Sequence, residues 1–214
     1  MRRRSGDWGG LWYNLGTMTT IRTFIAIELS DAARTALAGL QNRLKTISPP
    51  HSVRWTAVQN IHLTLHFLGD TPAENIDAIG QVLQAAAETV PPFEVNLGRL
   101  GCFPNTRRPR VLWAGLMDTP PALPELHRRL GVQLAQEIGF APETRPYAPH
   151  LTLGRVKNGI PARHLRQLSQ AIEQAQPGVG KLATLHVAEI RLIKSQLKPT
   201  GAIYSPLHTA RLGG

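Results

Sequence analysis

Apolar positions along this chain recur at two spacings, one that fits strands and one that fits helices. Arg22-Thr23-Phe24-Ile25-Ala26-Ile27-Glu28-Leu29 is apolar and rich in β-branched residues, the pattern of a mostly buried strand. Ser30 then stands where a helix cap belongs. Ala33, Leu37, Leu40, Leu44 and Ile47 follow at steps of three and four, which predicts a helix with one apolar face that stops before Pro49-Pro50. Val53-Arg54-Trp55 reads as a short strand, and a longer one is predicted from about Ile61 to Leu68, with Leu63, Leu65 and Phe67 opposite His62, Thr64 and His66. Thr71-Pro72-Ala73-Glu74 has the form of a capping box, and Ile76, Ile79, Leu83, Ala86 and Val90 continue at helical spacing until Pro91-Pro92.

The second half repeats this alternation. Phe93–Leu100 and Val111–Leu116 read as strands joined by a loop from Gly101 to Arg110. A helix from Pro121 to Ile138 would bury Leu123, Leu126, Leu130, Leu134 and Ile138 ahead of Gly139. A strand covers His150 to Val156, and a helix from Pro161 turns Leu165, Leu168 and Ile172 inward. Leu185–Ser195 and Ile203–Leu207 are the last strands, the latter placed at an edge by Pro206. Hairpin-like strand pairs between helices favour an α+β fold over a doubly wound parallel sheet.

Two of these strands carry one string, His62-Leu63-Thr64-Leu65 and His150-Leu151-Thr152-Leu153. Residues two apart on a strand share a face, so each copy sets an imidazole beside a hydroxyl over buried leucines. That is the layout of a phosphate site. The copies lie too far apart for a short tandem array and suit two similar halves of one domain. His62 and His66 have a spacing that ligates metal on a helix, but the strand pattern and the lack of a nearby carboxylate or cysteine argue against a metal site. His66 is read as a neighbour lining the cleft, because Gly154 holds the matching place in the second copy.

The chain has 214 residues and a formal net charge of +10, which favours polyanionic partners. Cys102 is the single cysteine, so no intrachain disulfide and no cysteine zinc site can form, and a reducing, cytoplasmic setting fits. Met1-Arg2-Arg3-Arg4 imitates the start of a secretory signal, but Asp7 and Asn14 interrupt any apolar stretch, and no segment suits a membrane span. Residues 1–17 are expected to be a poorly ordered extension upstream of a natural start at Met18, with 18–214 as a single domain.

With its motifs placed, the chain resembles the two-histidine (2H) phosphoesterase superfamily, whose signature is a pair of His-x-Thr-x strings. Within it the resemblance is to the RNA 2′,3′-cyclic phosphodiesterases, also called the 2′-5′ RNA ligase family. It rests on both His-Thr strings, Arg22 to Ile27, Phe67-Leu68-Gly69, Gly101-Cys102-Phe103-Pro104 and Arg107 to Trp113. Pro149 to Arg155, Ser195-Gln196-Leu197, Gly201 and Tyr204 complete it. The resemblance implies a bilobal, pseudo-two-fold fold in which two antiparallel sheets flanked by helices face a central cleft, with the termini in one lobe. It also implies hydrolysis of RNA or nucleotide 2′,3′-cyclic phosphates to 2′-phosphates without metal or cofactor, with 2′-5′ ligation as the reverse reaction. His62 would be the proton donor and His150 the acceptor, while Thr64 and Thr152 bind phosphate.

Phe103, Arg107, Arg110, Tyr147 and Arg155 are candidates for holding RNA phosphates and stacking bases, with Trp55 a further platform. A monomer without membrane or metal partners is expected. The alternatives are an ADP-ribose cyclic phosphate or a 2′-5′ oligonucleotide as substrate, and a binding module without turnover.

Overall fold

A computed structural model describes residues 19–213 apart from 142 and 200; the expected extension over residues 1–17 lies outside the described residues. In chain order the elements are β1 (Thr20–Ile27), α1 (Asp31–Ile47), β2 (Val53–Trp55), β3 (Leu63–Pro72), α2 (Ile76–Glu88), β4 (Phe93–Phe103) and β5 (Val111–Leu116). Then come α3 (Ala122–Ile138), β6 (Leu151–Val156), α4 (Ala162–Ala175), β7 (Ala183–Val187), β8 (Glu189–Lys198) and β9 (Gly201–Arg211).

The helices form where their caps and apolar faces dictate. The Ser30 hydroxyl accepts from the Ala33 N–H at the start of α1, and Gly139 closes α3 in the left-handed conformation. Leu37, Leu40 and Leu44 of α1 are almost fully buried, a burial that stabilises the fold by about 2 kcal/mol per side chain. Ile47, expected on that face, is instead exposed at the last residue of the helix.

Strand order is β7-β4-β5-β6-β3-β1-β8-β9, with β2 added against β6. The two expected antiparallel sheets are β7-β4-β5-β6 and β3-β1-β8-β9, and they meet edge to edge through one register pair, Leu63 with Leu151. The order is mirrored about this junction: β1 and β5 occupy equivalent places, and each leads into a helix that packs on the opposite lobe. Thus α1 packs with α4 and β7, while α3 packs with α2 and β3. The described termini share one lobe and the middle of the chain forms the other.

Several elements differ from expectation. The His-Thr strands begin late, the first by two residues at Leu63 and the second by one at Leu151, leaving His62 and His150 at the ends of their approaches. Pairing of β3 with β1 skips Leu65, and this bulge reverses the alternation: His66 becomes buried and Phe67 emerges 54% exposed on the side expected of the histidines. Thr71 caps no helix, because its hydroxyl is hydrogen-bonded to that of Thr23 at 2.7 Å, and α2 starts only at Ile76. The stretch Leu185–Ser195 is two strands, since the chain leaves β4's side after Val187 and joins β1 from Arg191 onward. As expected, β9 with Pro206 is an edge strand.

Candidate active site

Leu63 and Leu151 are both fully buried, so the residues flanking them in sequence turn to the opposite face of the junction. In an antiparallel ladder the positions adjoining a pair also lie across from each other, which sets His62 alongside Thr152 and Thr64 alongside His150. All four side chains are half-buried. Gln41 of α1 holds β6 in place from below, its amide donating to the carbonyls of Leu153 at 2.8 Å and Thr56 at 2.7 Å.

Both imidazoles are oriented by the same device. His62 Nδ1 lies 2.9 Å from the Asn60 carbonyl and His150 Nδ1 lies 2.8 Å from the Ala148 carbonyl, each two residues back along its own approach. A carbonyl only accepts, so each Nδ1 carries a proton and each Nε2 is left to give or take one. His62 stacks on Phe24 at 4.5 Å and meets the edge of Tyr204 at 5.4 Å. Burial pushes its pKa down to about 4; the bond to Asn60 opposes that shift, and the charge of His150 adds to it. The two rings therefore lie within electrostatic reach of one another. Phe103 sets its ring at 85° to that of His150, with centroids 4.9 Å apart.

A cavity of about 690 Å³ opens in front of His150. Thr64, Phe103, Arg110, Tyr147, His150 and Arg155, all expected at the site, line it. Arg107 is exposed in the β4–β5 loop and does not reach the cavity. Tyr147 is more than a flat platform: its hydroxyl donates to the Thr64 carbonyl at 3.1 Å, and burial raises its pKa. The Tyr147 ring stacks on His127 at 4.0 Å, and His127 stacks on His66 at 4.2 Å. Burial lowers the pKa of both histidines, that of His127 to about 4. His66 Nε2–H donates to the His127 carbonyl at 2.8 Å, so it serves as a support beside the cleft.

Sequence reasoning missed Phe24 and Phe67 as parts of the site. Phe24 lay inside a strand read as mostly buried, and Phe67 moved through a bulge that leaves no mark in the residue pattern. Trp113 was placed on a strand but not connected to the site. Its indole covers Gly101 and reaches Phe103 at 5.3 Å. Among the described residues, no group of three or more His, Cys, Asp and Glu side chains is placed to hold a metal ion, and no helix is long and apolar enough to cross a membrane.

Comparison with known proteins places these features in context. A family profile described as LigT like Phosphoesterase matches residues 27–113 and 118–204. An RNA 2′,3′-cyclic phosphodiesterase of Methanothermobacter thermautotrophicus is 33% identical over 192 residues, covering 90% of this chain and 99% of the relative. Its counterpart of the same name from Aquifex aeolicus is 32% identical over 199 residues, covering 92% and 100%. Among solved structures, a Thermus thermophilus protein superposes with a TM-score of 0.75 at 26% identity, over 91% of this chain and 99% of that one. E. coli LigT complexed with 3′-AMP superposes with a TM-score of 0.70 at 26% identity, over 91% and 99%.

Proposed function

The chain belongs to the LigT-like phosphoesterase family, and we propose that it hydrolyses 2′,3′-cyclic phosphate ends of RNA by proton transfer between its two motif histidines. The observation that carries this reading is the single pairing of Leu63 with Leu151, which gathers two imidazoles and two hydroxyls from opposite lobes on one face. The names of the relatives supply the substrate class.

In this scheme a water oxygen attacks phosphorus and the bond to the 3′ oxygen breaks. His150 takes the water proton at Nε2, and His62 gives its proton to the departing oxygen, leaving a 2′-phosphate beside a free 3′ hydroxyl. In-line displacement needs the two groups on opposite sides of phosphorus, which suits one from each lobe. Thr64 and Thr152 donate to the non-bridging oxygens, where charge accumulates. With its pKa at about 4 in the free protein, little His62 carries the proton it must give at neutral pH. The anionic phosphodiester beside it raises its proton affinity and so loads the acid as substrate binds. The same steps with a 5′ hydroxyl in place of water, its proton taken by His150 while His62 protonates the departing 3′ oxygen, join it to the cyclic end as a 2′-5′ linkage.

These proton transfers need no metal. Both histidines come from one chain, so a monomer suffices, and the single cysteine suits a cytoplasmic setting. The test is incubation with an RNA oligonucleotide ending in a 2′,3′-cyclic phosphate, in the presence of chelator, followed by location of the phosphate by ³¹P NMR. A 2′-phosphate is expected. An intact cyclic end would refute the activity, and a 3′-phosphate would reverse the assignment of the leaving oxygen.

A further inference from the structure

A second hollow, of about 720 Å³, adjoins the cavity in front of His150. Phe24 and Tyr204, the two rings packed on His62, belong to its wall, and Phe67 and Arg155 are shared between the two hollows. Its cations are Arg22, Arg54, Arg155 and Lys198, and no carboxylate lines it. None of the four enters an ion pair among the described residues. Asp70, paired with Arg22 in register, lies outside the lining.

One relationship inside this hollow works against the fold. Arg54 of β2 and Arg155 of β6 are direct cross-strand partners, and like charges directly opposite each other in an antiparallel pair are destabilising. Arg22 joins them from β1: burial pushes the Tyr204 hydroxyl above the ordinary phenol pKa, while the nearby Arg155 and Arg22 guanidiniums both pull it back. Three guanidiniums thus converge beside two exposed or half-exposed rings, Phe67 and Trp55. Such a combination of cations and flat faces suits the backbone and bases of single-stranded nucleic acid.

We propose that this second hollow binds the RNA chain preceding the cyclic end, its arginines holding backbone phosphates while the terminal nucleoside occupies the cavity in front of His150. The inference rests on the phosphodiesterase reading and extends it: the protein is selective for oligonucleotides over mononucleotide cyclic phosphates. Arg54 and Arg155 face each other because a phosphate belongs between them. Arg54 acts on the polymer alone, having no part in the cavity where the terminal nucleoside sits.

The experiment compares a mononucleotide 2′,3′-cyclic phosphate with an RNA trinucleotide bearing the same cyclic end, using the parent protein and Arg54→Gln. In the variant, KM for the trinucleotide should rise about tenfold, the loss expected for one hydrogen bond to a charged group. The salt dependence of trinucleotide binding should flatten by about one charge. KM for the mononucleotide should not move, and the variant should melt no lower than the parent, because a repulsive pair has been removed. Equal effects on both substrates, no effect on either, or a lowered melting temperature would overturn the proposal. If the parent hydrolyses neither substrate, the phosphodiesterase reading fails by itself. The hollow is then read by fluorescence anisotropy of a labelled trinucleotide, where tenfold weaker binding by Arg54→Gln upholds it and unchanged binding overturns it.

Discussion

Leu63 of β3 faces Leu151 of β6 at the one point where the two lobes share a rung, and each is flanked on both sides by a member of the His-Thr set. Truncating this contact should therefore loosen the chemistry as well as the core. Leu151→Ala is expected to lower stability by about 2–5 kcal/mol. It should also reduce kcat at temperatures where the variant remains folded, as measured by denaturant melts beside initial rates.

Replacing either motif histidine should spare the fold and remove catalysis. His62→Ala and His150→Ala are each expected to lose roughly 10²- to 10⁴-fold in kcat, with far-ultraviolet circular dichroism unchanged. A histidine variant that kept its rate would take that residue out of the mechanism.

The low proton affinity of free His62 predicts a difference between two pH profiles. A general acid must be protonated, so the rate falls as pH rises through its pKa. For kcat/KM, which reports the free protein, this fall begins from about 4. For kcat, which reports the complex, it should begin at higher pH, because the bound anion favours imidazolium. The inflections belong to the coupled pair of histidines. Coincident profiles would show that the bound phosphate leaves His62 unaltered.

Burial of neutral His62 also sets a stability dependence. Its pKa is about 6.5 when unfolded and about 4 when folded, so the unfolded chain binds more protons between those values. The stabilisation is complete above pH 6.5 and is lost as pH falls toward 4, by on the order of 3 kcal/mol for a shift of this size. Thermal melts across that window should show the decline, to which buried His66 and His127 add, and His62→Asn should remove the His62 share of it.

Gly101 lies under the Trp113 indole, where an added Cβ would come within 2.1 Å of the ring. The indole in turn touches Phe103, which touches His150. Gly101→Ala is expected to cost about 1–3 kcal/mol through overpacking. If the strain travels along this line of rings, kcat should fall at temperatures well below the melt. Unchanged kcat would confine the effect to the core.

Much of this architecture was legible from residue order because its signals are local. Ser30, Gly139 and the leucine spacing of α1 and α3 act within a turn or two of chain, and the duplicated His-Thr strings sit on the strands that their alternation predicts. What escaped depends on distant partners. The skipped residue at Leu65 exists only because β3 must pair with β1, and it moves Phe67 into the cleft. The division at Ala188 arises because two lobes compete for adjacent stretches of one apolar run. Arg107 and Arg110 are indistinguishable in a basic loop, and only the folded backbone decides that Arg110 reaches the cavity.

Both motif imidazoles are hydrogen-bonded at Nδ1 to carbonyls of their own chain, two positions upstream, and among the described residues no side chain takes that place. The hydrogen bonds that orient the two rings are thereby independent of the side chains on the rim that selects the ligand. Such a scaffold is free to exchange its outer loops and aromatic surfaces for new recognition tasks while the proton chemistry stays intact.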